Sequence, residues 1–190
     1  HDHSHSNTTG LDGSIYISGY TYGNFDGQTN SGGEDAFLTK YDPNGDKEWT
    51  KLLSTTSQDR PNALTAGLDG SIYISGYTRG DLDGETNNGG SDIFVSKFTT
   101  DGNKEWTKLL GSSGNDGAES LITGIDGSIY ISGTTDGNLD GQTNSGDIDS
   151  FLIKLRVNPV IRGDSIYTIV DGPTWTEAED NSNKLGGHLV

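Results

Sequence analysis

The phrase Asp-Gly-Ser-Ile-Tyr-Ile-Ser-Gly occurs three times in 190 residues, beginning at Asp12, Asp69 and Asp126, each copy 57 residues after the one before. A constant period of this length is the signature of one supersecondary unit stacked on itself, and it constrains the architecture before any single residue is considered. The register reaches beyond the phrase. Asp35, Asp92 and Asp149 are in step, as are Lys40, Lys97 and Lys154, and Trp49 matches Trp106. Even the N-terminus keeps phase, with Asp2 aligned to Asp59 and Asp116.

Each unit reads as four β-strands. In the second copy, residues 62–68 and 71–76 flank Asp69-Gly70, and an Asp-Gly pair between two β-prone runs predicts a hairpin with a type I′ turn. Ile72 and Ile74 alternate with Tyr73 and Ser75, the period of a half-buried strand. A loop rich in Gly and Asp runs from Tyr77 to Ser91. Residues 93–98 then form a third strand, Asp101-Gly102-Asn103 a turn, and Lys104 to Leu110 a fourth strand. Dense Gly, Asn and β-branched residues argue against helix. Four antiparallel strands per repeat is the unit of a β-propeller blade; a continuous β-solenoid uses much shorter periods. Blades are expected over about 5–57, 58–114 and 115–156, the last one short, because the repeat stops at Leu155 before a third Glu-Trp-Thr-Lys strand. The fold class expected is all-β, a partial β-propeller of four-stranded antiparallel blades.

Composition narrows the partners. Only 29% of residues are hydrophobic, and 29 glycines account for much of the deficit, but the apolar residues recur in short regular runs, which is the pattern of strands and tight turns. The formal charge of −16 is spread without a basic block, so nucleic-acid binding and adsorption to anionic lipid are both disfavoured. There is no cysteine, which removes disulfides, thiol catalysis and thiolate metal sites. No apolar run approaches the roughly 18–20 residues that span a bilayer.

Ile-Tyr-Ile-Ser-Gly, the Gly-Gly-x-Asp-x-Phe segments (Gly32, Gly33, Asp35, Phe37; Gly89, Gly90, Asp92, Phe94) and the Glu-Trp-Thr-Lys-Leu-Leu strands together resemble the bacterial β-propeller repeat family abbreviated SBBP, over roughly residues 1–156. That resemblance implies a propeller on secreted or cell-surface multidomain bacterial proteins and no shared chemistry. Closed propellers use about four to eight blades, so this stretch is expected either as a fragment of a longer product or as a subunit that self-associates through open blade edges. After a linker at 157–164 the period vanishes. Residues 165–170 read as a strand, and Thr174-Trp175-Thr176-Glu177 as a capping box opening a helix. With Leu185-Gly186-Gly187-His188-Leu189-Val190, residues 165–190 resemble the opening of a C-type-lectin-like domain, which implies recognition of carbohydrate or a surface protein. That family's calcium and sugar ligands lie later than the last of these residues.

The strongest chemical candidate is the long loop. In the second copy it offers Asp81, Asp83, Glu85 and Asn87, with Asp92 at the twelfth position from Asp81. Oxygen ligands at alternate positions closed by an acidic group are how Ca²⁺ is collected. The first copy repeats the set as Asn24, Asp26, Gln28, Asn30 and Asp35, and the third as Asn138, Asp140, Gln142, Asn144 and Asp149. The competing reading is a series of Asx-turns with no ion. His1, His3 and His5 are expected as a frayed end, with Zn²⁺ or Ni²⁺ binding the alternative. Tyr16, Tyr73, Tyr130, Trp49 and Trp106 are expected as blade packing before sugar stacking. An enzyme needs an asymmetric constellation, and this repeat supplies near-identical residues three times, so no catalytic residue is assigned. The function expected is a non-enzymatic, secreted or cell-surface binding or adhesion scaffold. The alternatives are a self-assembling extracellular polymer of incomplete propellers and a fragment of a propeller hydrolase or lyase.

Overall fold

The computed structural model describes residues 1–157, 160–162 and 165–167, in two compact units, His1–Arg156 and Val157–Val190. The first unit is three antiparallel sheets, one per repeat. β1 (Asp2–Thr9), β2 (Ile15–Thr21), β3 (Asp35–Tyr41) and β4 (Lys47–Leu53) form the first, in chain order. β5 (Asp59–Ala66), β6 (Ile72–Thr78), β7 (Asp92–Phe98) and β8 (Lys104–Leu110) form the second. β9 (Asp116–Thr123), β10 (Ile129–Thr135) and β11 (Asp149–Leu155) form the third, which has three strands. The second unit contains the hairpin of β12 (Val160–Arg162) and β13 (Ser165–Tyr167), so the stretch expected as linker carries a strand. The expected capping box, helix and Gly-Gly-His segment lie outside the described residues. No helix among the described residues is long and apolar enough to cross a membrane.

Two local features differ from expectation. The histidine-bearing N-terminus is not a frayed end. β1 pairs with β2 along its length, His3 stacks on Tyr20 with ring centroids 4.9 Å apart, and Asp2 accepts a 2.6 Å hydrogen bond from Thr21 Oγ1. The in-phase Asp2 already carried this information. The turn at Asp69-Gly70 is also not type I′. Only Gly70 has positive φ, and Asp69 Oδ1 instead accepts from Ser71 N at 3.0 Å, closing an Asx-turn inside a longer loop. Gly70 N donates to Gly67 O and Gly67 N to Ser71 O, the arrangement of a type I turn followed by a left-handed glycine.

The glycine that ends each Ile-Ser-Gly has a different cause. β1, β5 and β9 each carry an irregularity in register opposite it, and the bulged strand crowds the neighbouring backbone. A Cβ on Gly19, Gly76 or Gly133 would overlap the carbonyl oxygen of His3, Arg60 or Gly117.

Alternation gives each sheet two unlike faces. One carries Ile72, Ile74, Leu64, Phe94 and Phe98; the other carries Tyr73, Ser75, Val95 and Lys97. The isoleucine face of the second sheet packs on the tyrosine face of the first, where Tyr16, Ala36 and Leu38 join Leu64, Ile72, Ile74, Phe94 and Phe98 in one buried cluster. The third sheet repeats the arrangement on the second. Ile129 and Ile131 are fully buried, as are Tyr73 and Val95, and Thr65 meets Thr123 through their hydroxyls at 3.3 Å. Burial of this apolar surface is the main favourable term holding neighbouring sheets together. Among the described residues the two outermost faces have no repeat stacked on them: Ile15 is 40% exposed, and Leu152 is 71% exposed where Leu38 and Val95 are fully buried.

The in-phase lysines form ion pairs on the tyrosine face of each sheet with the aspartate that opens each repeated phrase. Lys97 Nζ lies 3.0 Å from Asp69 and 2.7 Å from Glu105; Lys40 and Lys154 repeat the contact with Asp12 and Asp126. Burial penalises the Lys97 ammonium, yet the hydrogen bonds to Glu105 and Asp69 outweigh that cost and raise its pKa. Asp126 is held down at about 2, chiefly by its hydrogen bond with Lys154. Tyr73 lies 6.0 Å from Trp106 and Tyr16 lies 5.9 Å from Trp49, and Trp49 Nε1 donates to Thr100 O of the second repeat at 3.2 Å, so these recurring aromatics pack both within and between sheets.

Candidate functional site: the acidic loops

Each long loop begins where the second strand of its sheet ends and folds back as a two-residue hairpin. Leu82 and Glu85 exchange both backbone hydrogen bonds, at 3.1 and 3.0 Å, around Asp83-Gly84. Asp83 has φ 55° and Gly84 φ 86°, so the type I′ turn expected at Asp69-Gly70 occurs one Asp-Gly pair later. Asp26-Gly27 and Asp140-Gly141 adopt the same conformation. The tip is anchored by its preceding apolar residue: Leu82 is 1% exposed within the buried cluster, and Phe25 packs on Phe37 with centroids 4.8 Å apart.

The oxygen atoms that the sequence lines up as ligands are dispersed by this folding. Asp81 Oδ1 accepts from Asn87 N at 2.9 Å, and the same bond joins Asn24 to Asn30 at 3.1 Å and Asn138 to Asn144 at 2.8 Å. The amide of Asn87 is engaged at both ends, donating to Thr78 O at 3.0 Å and accepting from Gly89 N at 3.0 Å; Asn30 and Asn144 do likewise. Asp83 sits at the far tip, where Lys104 forms an ion pair with it and Thr107 Oγ1 donates at 2.5 Å. Asp26 pairs with Lys47, whose hydrogen bond holds the carboxyl below its ordinary pKa. Asp140 occupies the same place in the third sheet, which among the described residues has no fourth strand to bring it a lysine. Glu85 is exposed, whereas Gln28 at its position in the first copy clamps the fourth strand.

Asp35, Asp92 and Asp149 lie at the loop base. Each accepts a backbone hydrogen bond through Oδ2, from Ser31, Asn88 and Ser145 at 2.7, 2.9 and 2.7 Å. Asp35 and Asp92 are wholly buried, and their Oδ1 atoms have no partner. The carboxylates nearest them come from the next repeat. Burial pushes the Asp92 carboxyl above its ordinary pKa, the Asn88 N–H holds it back, and Asp116 adds to the rise; Asp35 is raised in the same way beside Asp59. Asp59 is itself raised by burial, against hydrogen bonds from Thr78 and Thr55. Among the described residues no group of three or more His, Asp or Glu is placed to hold a metal ion. The arrangement is one of loops closed by their own hydrogen bonds, above buried carboxylates shared between neighbouring sheets.

One cluster escaped sequence reasoning. Glu34, 2% exposed, forms a bidentate pair with Arg60 across the boundary between the first and second sheets, and Arg60 lies 4.6 Å over the Tyr20 ring. The pair is absent from the next boundary, where Ser91 and Gly117 stand at the same positions, so the repeat phase gave no signal for it. The paired aspartates did leave one, in the common phase of Asp2, Asp59 and Asp116.

No protein-family model matches the chain. It is similar to regulatory protein FlaEY of Caulobacter vibrioides, with 34% identity over 107 residues, 53% of this chain. The matched region spans 11% of that relative's length.

Proposed function

We propose that residues 1–156 are consecutive blades of a β-propeller of the SBBP type, and that the protein acts as a non-enzymatic binding and display scaffold at the cell surface or outside the cell. The observation that carries this reading is the stacking of unlike faces. Each sheet seats its isoleucine face on the tyrosine face of its predecessor, with the inner strands β1, β5 and β9 drawn together in turn. Sheets that meet through their first strands and splay toward their last fan about an axis, as propeller blades do.

The loops support a binding role over catalysis. The hydrogen bonds of Asp81 and Asn87 repeat from copy to copy and hold each loop in one shape, which suits a fixed binding surface. The C-terminal lectin-like segment adds recognition of carbohydrate or a surface protein. The relative's name assigns that protein a regulatory role, which binding without turnover is able to serve.

Electron microscopy of the longest polypeptide that contains these residues tests the architecture, with a ring around a central channel expected and an extended ribbon refuting it. Screening against immobilised glycans and surface proteins, beside a panel of ester, glycoside and peptide substrates, tests the role. Retention without turnover is the expected result, and hydrolysis of any substrate overturns the non-enzymatic reading.

A further inference from the structure

In the first two sheets the loop clamps the fourth strand. Gln28 Nε2 donates to Thr50 O at 2.6 Å and Gln28 Oε1 accepts from Leu52 N at 3.1 Å, so one amide reads two backbone groups of β4. Lys47 pairs with Asp26 at the tip. In the second sheet Lys104 pairs with Asp83, and Thr107 hydrogen-bonds the same carboxylate at 2.5 Å. The clamped strands share the pattern Lys-x-x-Thr-x-Leu, as Lys47, Thr50, Leu52 and as Lys104, Thr107, Leu109.

Among the described residues, the third sheet keeps the clamp and lacks the strand. Asp140-Gly141 makes the same type I′ tip, Leu139 is buried beneath it, and Gln142 follows in the position of Gln28. β11 is the last strand of its sheet, in the order β11-β10-β9. Where β4 and β8 run in the other sheets, the loop and β11 enclose an open pocket of about 240 Å³, lined by Leu139, Asp140, Gln142, Phe151, Leu152 and Ile153. A strand edge with unpaired backbone groups is a template for another strand.

We propose that this slot binds an extended segment of a partner polypeptide, which adds to β11 antiparallel as a fourth strand and carries the pattern Lys-x-x-Thr-x-Leu. Backbone hydrogen bonds to β11 supply the sheet pairing, and pockets for alternate side chains supply selectivity. The register matches that of the two filled sheets. Phe37 lies opposite Leu52 and Thr39 opposite Thr50, which places the ligand leucine opposite Phe151 and its threonine opposite Ile153. The ligand lysine reaches Asp140, and Gln142 takes a backbone carbonyl and N–H of the strand. A segment carrying a lysine also suits a chain of formal charge −16.

The test is titration of the isotope-labelled full chain with the end-blocked peptide Lys-Glu-Trp-Thr-Lys-Leu-Leu, read by amide chemical shifts and hydrogen exchange. Shifts and protection confined to Ser150–Leu155 and the 139–142 loop are expected, with no response to the reversed peptide. Asp140→Ala and Gln142→Ala, both at exposed positions, should each weaken binding about tenfold, the loss of one charge-assisted or bidentate contact, with unchanged melting of the free chain. No perturbation at millimolar peptide overturns the proposal. So does addition along β1 at the opposite edge, equal response to the reversed peptide, or undiminished binding by both variants.

Discussion

Asp92→Asn should stabilise this protein at neutral pH. Asp92 is completely buried, its Oδ2 accepts from Asn88 N at 2.9 Å, and its Oδ1 has no partner. Asp116 faces it with an unpartnered Oδ1 of its own. An asparagine keeps one acceptor for the Asn88 N–H and puts an NH₂ donor where the orphaned oxygen stood. It also removes a charge repelled by Asp116. Relief of one buried unsatisfied acceptor is worth about 1–3 kcal/mol, and in a chain of this length each kcal/mol moves Tm by about 2–4 °C. The expected rise in Tm is about 2–12 °C. The pH dependence supplies a second check. Burial raises the folded-state pKa of Asp92, so the stability linked to its protonation is complete below the unfolded pKa and is lost as pH rises through the folded pKa. The wild type should therefore recover stability on mild acidification, and the advantage of the variant should shrink over the same window. Thermal and urea melts of both proteins at neutral and mildly acidic pH, at fixed ionic strength, measure this. A loss of stability at neutral pH, or a gain that does not change on acidification, refutes the reasoning.

Further expectations concern the sheet boundaries and loops. Gly76→Ala should cost about 1–3 kcal/mol, because the added methyl meets the Arg60 carbonyl of a paired strand; a neutral result by urea melt would show that the bulge relaxes. Glu34→Gln should cost about 1–3 kcal/mol at neutral pH, less than a fully buried pair because the Arg60 side chain is 31% exposed. The Arg60 hydrogen bonds hold the Glu34 carboxyl low, so its contribution is present above the unfolded pKa and lost as pH falls through the lowered folded pKa; the two melts should converge only in acid. EDTA should leave the melt unchanged, since the loop hydrogen bonds close without an ion. A fall in Tm that Ca²⁺ reverses would reinstate the loops as cation sites.

The three sheets were legible because the period is rigid. The second copy placed the fourth strand at Lys104 to Leu110, where β8 lies, and the missing Glu-Trp-Thr-Lys segment correctly left the third sheet with three strands. What the period does not carry is local geometry that side chains decide. Asp69-Gly70 and Asp83-Gly84 are identical dipeptides, but Asp69 turns its carboxylate to Ser71 N, while Asp83 sends its own to Lys104 and Thr107 and takes positive φ. The alternate oxygens of the loop read as a single ligand set only if the chain curls around one point. It doubles back instead, carrying Asp83 to the tip and leaving Asp92 at the base. Glu34 and Arg60 break the repeat and pair only because the stacking brings them together, which no periodic argument could supply.

The two unlike faces of each sheet make the unit a directional connector. Every module presents a socket to its successor and a plug to its predecessor, both built from the same 57-residue unit. An in-frame duplication of any 57-residue stretch would therefore insert a piece already matched on both sides, and the array could lengthen or shorten by whole units without any new junction having to evolve. Reversing one unit would set plug against plug, so the order of translation itself keeps the stack in a single sense.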